Sequence, residues 1–387
     1  MAEIKIDLDQ IQEDKKVAGY WYGHVPEMRK FRKVSTSKMR QLGLKSQDIR
    51  MVRDFDELKM YPPNIIVAQA TTNVSFVQNF FKTQTLKKRQ KYVMGLGVYQ
   101  QLHKSAENKK VLLKPTTPQF KNVYRPYEGQ SLEGGKSILV FRTGGIGDLL
   151  FINPNLRYLK DKYPDCVIKF ACGPQYQAMV ENWKGELIDE LLDLPFTLQD
   201  LQSSDYHVLF EGVIERCKLS HHQNSYNLFS RWIGLDLDDE LLVPHQEPKW
   251  DLVEEVEEIL ADWKLDKKDY IVMQLRASSP IRTPSPKFFG ELISKLVDAG
   301  HKVVLTDSKR NAEQLDSFIK DYITSDQSMV YNFSPHSGSL DYTIALTYHS
   351  KCVCATDSAL NHIAASMDIP CYGIYGPFPG FIRLKTY

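Results

Sequence analysis

The chain has 387 residues, with 42% hydrophobic and 25% charged side chains and a formal net charge of +1. That length exceeds one ordinary hydrophobic core, so two or three domains are expected, and the composition excludes a disordered or fibrous chain. The near-neutral balance excludes a global pull toward nucleic acid or anionic membrane, leaving only local patches to do so.

Residues 1–125 are irregular, aromatic and basic and read as a mixed N-terminal accessory region. The opening MAEIKIDLDQIQEDKK is charged throughout and lacks the apolar stretch of a signal peptide. FVQNFFKTQTLKKRQKYVMGLGVYQQL (76–102) predicts a helix. Its basic part, at 80–92, interleaves Lys82, Lys87, Lys88, Arg89 and Lys91 with Phe80, Phe81 and Tyr92. Such a helix either contacts an anionic acceptor or presents a solvated face beside a core stripe. Residues 126–136, with Pro126, Gly129, Gly134 and Gly135, read as a linker.

From there the style changes. SILVFR (137–142), CVIKFAC (166–172) and YHVLFEG (206–212) are short apolar runs suited to buried parallel strands, separated by helical spacing in LLFINPNLRYLKDKYP and GPQYQAMVENW. After VPHQEPKWD (243–251) the alternation restarts. Strands are expected in DYIVMQLRA, HKVVLTDS, KCVCATDS and PCYGIYG, with helices in VEEVEEILADWKL, KFFGELISKLVDAG, NAEQLDSFIKDY, TIALTYHS and ALNHIAASMD. The pattern predicts an α/β protein with two Rossmann-like lobes facing a cleft, over 137–247 and 248–387. No run of about 18 apolar residues occurs, which argues against a membrane span. Of the six cysteines, four sit in apolar strand-like runs. They read as reduced structural residues of a cytoplasmic protein, and no further ligands accompany Cys352 and Cys354 to make a metal site.

Three loops at the carboxyl ends of strands carry chemistry. In RTGGIGD, Gly145 and Gly147 let a ligand approach a helix N-terminus, an arrangement suited to phosphate. The third glycine of a dinucleotide fingerprint is missing, and VIKFAC does not end in an acidic residue, which disfavours nicotinamide or flavin. Asp148 is either a dipole-favoured first-turn carboxylate or a general base for an acceptor hydroxyl. In TDSALNHIAA, Asp357, Ser358 and Ala359 open a helix and His362 lies one turn on. The final strand is followed by the turn Gly376-Pro377-Phe378. In RASSPIRTPSPKFF, Arg276, Arg282 and Lys287 are cations suited to a departing diphosphate, or simply a solvated basic loop. Asp307 and Glu313 are carboxylates suited to bind a ribose, or Glu313 is simply a helix residue.

ILVFRTGGIGDLLFINPNLRYLKDKYP and TDSALNHIAASMDIPCYGIYGPF together resemble the ADP-heptose–lipopolysaccharide heptosyltransferase family (glycosyltransferase family nine), over about residues 137–387. The resemblance implies a GT-B fold, with the donor nucleotide sugar on the second lobe, and an inverting, metal-independent transfer that needs no cofactor. By position, Asp148 resembles the catalytic base, and Gly145 and Gly147 the turn beside the sugar and phosphates. Arg282 falls near the phosphate-binding lysine. Asp357, Ser358, Ala359 and His362 resemble the diphosphate-binding segment, and Glu313 falls near the ribose carboxylate. Three departures stand out: Ala359 replaces a glycine, Arg282 replaces a lysine, and the chain ends soon after GPF, so a short or C-terminally truncated version is expected.

The expected function is therefore transfer of a sugar from an ADP-linked, heptose-like donor to a glycan, lipid-linked or other polyhydroxyl acceptor, in the cytoplasm or at a membrane surface. A non-catalytic nucleotide-binding member of the fold and a Rossmann-type oxidoreductase are the alternatives.

Overall fold

The computed structural model describes residues 19–21, 32–34, 49–50, 59, 65–78, 82–95, 98–100, 102, 113–115, 122–376 and 379–384. Near the N-terminus, β1 (Gly19–Trp21), β2 (Arg32–Val34) and β3 (Ile49–Arg50) pair antiparallel in the order β2-β1-β3. The helix expected over 76–102 is largely β-structure. β4 (Ile65–Ala70) is followed by an antiparallel pair, β5 (Val74–Gln78) with β6 (Lys82–Leu86). β7 (Lys91–Gly95) then lies beside β4, which has β8 (Leu113–Pro115) on its other side.

The reason is local. In β6, Gln84 and Leu86 are buried while Thr83 and Thr85 are exposed, a period of two rather than 3.6. Arg89 has φ +67°, and the Gln90 N–H donates to the Lys87 carbonyl, so the chain turns where a helix would continue. The basic helix at 80–92 is thus corrected to a strand, a turn and a strand. Lys87, Lys88 and Arg89 are exposed on the turn, and Lys91 opens β7. Phe80 and Phe81 lie outside the described residues.

The first lobe runs through β9 (Ser137–Arg142), α1 (Ile146–Lys162), β10 (Val167–Cys172), α2 (Pro174–Glu181) and β11 (Glu190–Leu192). It continues with β12 (Phe196–Thr197), α3 (Leu198–Gln202), β13 (Tyr206–Leu209), α4 (Val213–Arg216) and α5 (Ser225–Trp232). Its sheet is parallel, in the order β11-β10-β9-β13. The strands are apolar on both faces because both are covered. Ile138, Val140, Ile168 and Phe170 pack with Leu149, Leu150 and Leu156 of α1. On the other face Leu139, Phe141, Ala171 and Leu209 pack with Val67 of β4 and Val93 of β7. The strand pair β7–β12 joins this N-terminal sheet to the lobe.

Residues 126–136 form no helix or strand, yet they are not a free tether. Tyr127 and Leu132 are buried in the first-lobe core, and the Tyr127 N–H donates to the His207 carbonyl at 2.9 Å. Tyr127→Ala is therefore expected to lower unfolding stability by about 3–5 kcal/mol, the range for losing a buried aromatic ring. A denaturant midpoint near that of the wild type would show that this stretch contributes only length.

The second lobe contains α6 (Trp250–Asp262), β14 (Tyr270–Gln274), α7 (Pro286–Asp298), β15 (Lys302–Leu305) and α8 (Ala312–Tyr322). β16 (Val330–Asn332), α9 (Leu340–Tyr348), β17 (Cys352–Thr356), α10 (Ala359–Ser366) and β18 (Cys371–Ile374) complete it. The parallel order is β16-β15-β14-β17-β18. Cys352 and Cys354 pack into one face of this sheet, and no disulfide forms among the described cysteines.

The lobes are closed on each other. Ile344 of α9 and Ile363 of α10 belong to the first-lobe core. In the connection between lobes, the His245 N–H donates to Asn153 of α1 at 2.9 Å and the Gln246 N–H donates to the Ser366 carbonyl at 3.0 Å. After β18 the chain returns to the first lobe. Asn224 donates to the Phe381 carbonyl at 2.7 Å, and the Ser225 hydroxyl at the start of α5 donates to that of Ile382 at 2.8 Å. Among the described residues no helix is long and apolar enough to cross a membrane.

In each lobe the strand order reverses at one place, which opens a crevice at the carboxyl ends of the strands. In the first lobe this lies between β9 and β13, in the second between β14 and β17. RTGGIGD leaves β9 there, and TDSALNHIAA leaves β17 there.

Candidate active site

β9 ends in Arg142, a charge at the foot of an apolar strand and buried to 2% exposure. It stays there because every donor of its fork is used. Nε donates to the Gly144 carbonyl at 2.9 Å, and Nη1 to the Phe210 carbonyl at 2.8 Å and to Glu215 Oε2 at 3.2 Å. Nη2 donates to Glu215 Oε1 at 2.5 Å and to Asp148 Oδ2. Glu211, just after β13, accepts from the Thr143 N–H at 2.5 Å and its hydroxyl at 2.7 Å, which fastens the glycine turn to the next strand. The sequence reading missed Arg142, Glu211 and Glu215. The available signal was an arginine closing an otherwise apolar strand, with two glutamates after the next strand in FEGVIER.

Asp148 sits in the first turn of α1, whose N-cap, Gly145, supplies no side-chain cap. Burial lifts its carboxyl above the usual range and Glu215 adds to this, while Arg142 and Arg383 oppose. Burial likewise lifts Glu211, helped by Glu215 and opposed by Arg142. Arg142 remains charged: burial works against it, but Asp148, Glu215 and Glu211 outweigh that cost. The result is a carboxyl group paired with one guanidinium, yet more basic than a free one.

Gly145 has φ +90°, and a Cβ there would collide with the Asp148 carboxylate. Gly145→Ala is expected to cut turnover at least tenfold by displacing Asp148. It should also cost about 1–3 kcal/mol of stability from the backbone conformation. Parallel measurement of kcat and of the unfolding midpoint checks both effects. Unchanged kcat would mean that the turn does not set the position of Asp148.

On the facing lobe, Asp357 is buried and Ser358 is the N-cap of α10. The Ser358 hydroxyl does not cap the helix. It donates instead to Gln274 Oε1 at 2.7 Å, across the crevice between β17 and β14. Arg282 reaches the same place: Nη1 donates to the Asp357 carbonyl at 3.0 Å and lies 3.4 Å from its carboxylate, and Nη2 donates to Ser278. Arg282, Asp357, Ser358 and Ala359 thus gather a cation and the free N–H groups of α10.

His362 joins the lobes. Its ring packs edge-on against Phe151 of α1 at 4.9 Å, and a Cβ on Gly147 would sit 2.8 Å from it. Burial, then the charge of Arg383, push its pKa down to about 3, so it is neutral.

The remaining expected residues stand apart. Arg276 is held by Asp307 through Nε and Nη2 at 2.9 and 2.8 Å, and Nη1 donates to Gln314. Asp307 is itself occupied by Asn311 and the Ser308 N–H. Lys287 is exposed on α7, 3.9 Å from Glu291, and Glu313 is exposed in the first turn of α8. Pro377 and Phe378 lie outside the described residues. A groove of about 760 Å³ lies beside the start of α5, lined by Asn224, Asp239, Tyr375 and Phe381 among others.

Two Rossmann-like lobes closed over crevices at the carboxyl ends of their sheets define a GT-B-like protein. Residues 216–383 match the model of glycosyltransferase family 9 (heptosyltransferase). Over 89 residues the chain is 30% identical to lipopolysaccharide heptosyltransferase 2 of Escherichia coli (strain K12) and 28% identical to that of Salmonella typhimurium. Each match covers 23% of this chain and 25% of the relative, so it spans a quarter of the curated proteins' length. The fold resembles that of the glycosyl transferase family 9 protein from Veillonella parvula, with a TM-score of 0.54 at 15% identity, over 66% of this chain and 84% of that one. The chain resembles the heptosyltransferase family in both sequence and fold.

Proposed function

We propose that this chain is an inverting glycosyltransferase that moves a sugar from a nucleoside-diphosphate donor, ADP-linked and heptose-like, to an acceptor hydroxyl. The observation that carries the reading is the pairing across the lobes. A carboxylate raised in basicity stands at one crevice, and Arg282 with the start of α10 stands at the other, with Gly147 and His362 in contact between them. Arg142 engages Asp148 through Oδ2. In this reading Oδ1 takes the acceptor proton as the hydroxyl oxygen bonds to the anomeric carbon. The bond from that carbon to the diphosphate breaks on the opposite face, and Arg282 and the α10 N–H groups take up the leaving charge. The family resemblance supports the ADP-heptose class, with a glycan or lipid-linked acceptor such as lipopolysaccharide met at a membrane surface.

Ala359 favours a second reading, a nucleotide-binding protein without turnover, because its methyl stands where the family has glycine. Thermal shift with ADP-, UDP- and GDP-sugars and with NAD, followed by mass spectrometry of reaction products, tests both. Stabilisation by ADP-sugars with donor hydrolysis or transfer is expected. Binding without any turnover would leave the second reading, and selective stabilisation by NAD would overturn both.

A further inference from the structure

Glu215 takes no part in the transfer as proposed, yet it holds the same guanidinium nitrogen as Asp148. We infer that Glu215 is a positioning residue for Asp148, gripping the Arg142 fork through both oxygens and so fixing the direction and strength of the contact that Arg142 makes with the base. The inference rests on the reading of Asp148 as that base.

The geometry is specific. Glu215 meets Nη1 at 3.2 Å and Nη2 at 2.5 Å, a side-by-side pairing of a planar fork with a carboxylate. The Gly144 carbonyl takes the Nε hydrogen and the Phe210 carbonyl takes the second Nη1 hydrogen. One Nη2 hydrogen then remains, and it goes to Asp148. Without Glu215, Arg142 would turn its fork onto Asp148 alone and hold the carboxylate as a tight ion pair, which makes a poorer base. The charged and titratable groups around Asp148 are Arg142 from β9, Glu215 from α4, Glu211 from the turn after β13, Arg383 from the C-terminal segment and neutral His362 from α10. Among them Glu215 is the carboxylate whose charge raises Asp148, in the same direction as the geometric argument.

Glu215→Gln keeps the shape and removes the charge. Its side chain is 37% exposed, so the variant is expected to fold. The expected result is a fall in kcat of about tenfold, a fraction of the ~10²–10⁴ that a positioned base supplies. KM for the donor should be unchanged, and the acid limb of the kcat profile should move to lower pH. Glu215→Asp keeps the charge and should leave the acid limb near its wild-type position. A carbon-13 carboxyl titration of Asp148 reads the same shift without turnover. If the acid limb and the carboxyl titration both stay put in Glu215→Gln while Asp148→Asn is inactive, the inference about Glu215 fails alone. If Asp148→Asn is fully active, the reading of the base fails first.

Discussion

Asp148→Asn is expected to lower sugar transfer by about 10²- to 10⁴-fold, the range lost when a positioned general base is removed. Nucleotide binding should stay close to wild type. The asparagine is isosteric and its oxygen still accepts from Arg142 Nη2, so the turn keeps its shape. Arg142 is not left as an uncompensated buried charge, because Glu215 holds it through both oxygens. What disappears is the capacity to take a proton. The donor's diphosphate, in the proposed reading, sits across the cleft against Arg282 and α10, which the substitution does not touch. Slow donor hydrolysis, with water as acceptor, provides an assay before the acceptor is known, and calorimetry with ADP reads the binding half. A variant that hydrolyses or transfers at the wild-type rate would remove Asp148 from the mechanism. One that loses ADP affinity in proportion would make it a structural residue.

The alternation of strands and helices after residue 136 was legible because each element states itself locally. SILVFR and DYIVMQL are apolar runs bounded by turn residues, and the helices between them carry their own 3.6 period. The glycine turn and Asp148 were legible for the same reason. The partners of Asp148 were not, because the pairing of Arg142 with Glu215 spans 73 residues and depends on β13 lying beside β9. Only strand order brings them together. The stretch 76–102 misled because its cations and aromatics fit both periods, and the turn at Arg89 is made by an ordinary residue with positive φ rather than by glycine or proline. Arg276 and Lys287 show the converse limit. Both are cations near the carboxyl end of β14, but one is held by Asp307 and the other faces solvent.

Acid should weaken the fold through two histidines that are buried neutral. His207 is fully buried, its Nδ1 accepts from the Arg125 N–H at 2.8 Å, and its Nε2 donates to the Leu201 carbonyl at 2.6 Å. A proton on Nδ1 would break the first bond. Burial pushes its pKa down to about 4, and burial with Arg383 pushes that of His362 to about 3. In the unfolded chain both take up protons near pH 6.5. The unfolded state therefore binds more protons below that pH, and stability falls as pH falls from about 6.5 toward 4 for His207 and toward 3 for His362. Each group contributes a slope of about 1.4 kcal/mol per pH unit. Asp148 and Glu211 act in the opposite sense, since carboxyls raised by burial recover protons earlier in the folded state. The total slope thus mixes signs, and a single-site comparison is the cleaner measurement. His207→Gln should be less stable than wild type at pH 7.5, because the Arg125 N–H loses its acceptor. Its loss between pH 7.5 and pH 5 should be smaller than that of the wild type by about 2 kcal/mol. Equal losses in urea titrations at the two pH values would show that His207 does not titrate on unfolding. The site matters beyond stability. His207 ties residues 125–127 to β13, and Tyr124 stacks on its ring at 5.8 Å. The strand so fastened ends next to Glu211, which holds the glycine turn in front of Asp148. Acid that opens this junction should loosen the turn before it unfolds the second lobe.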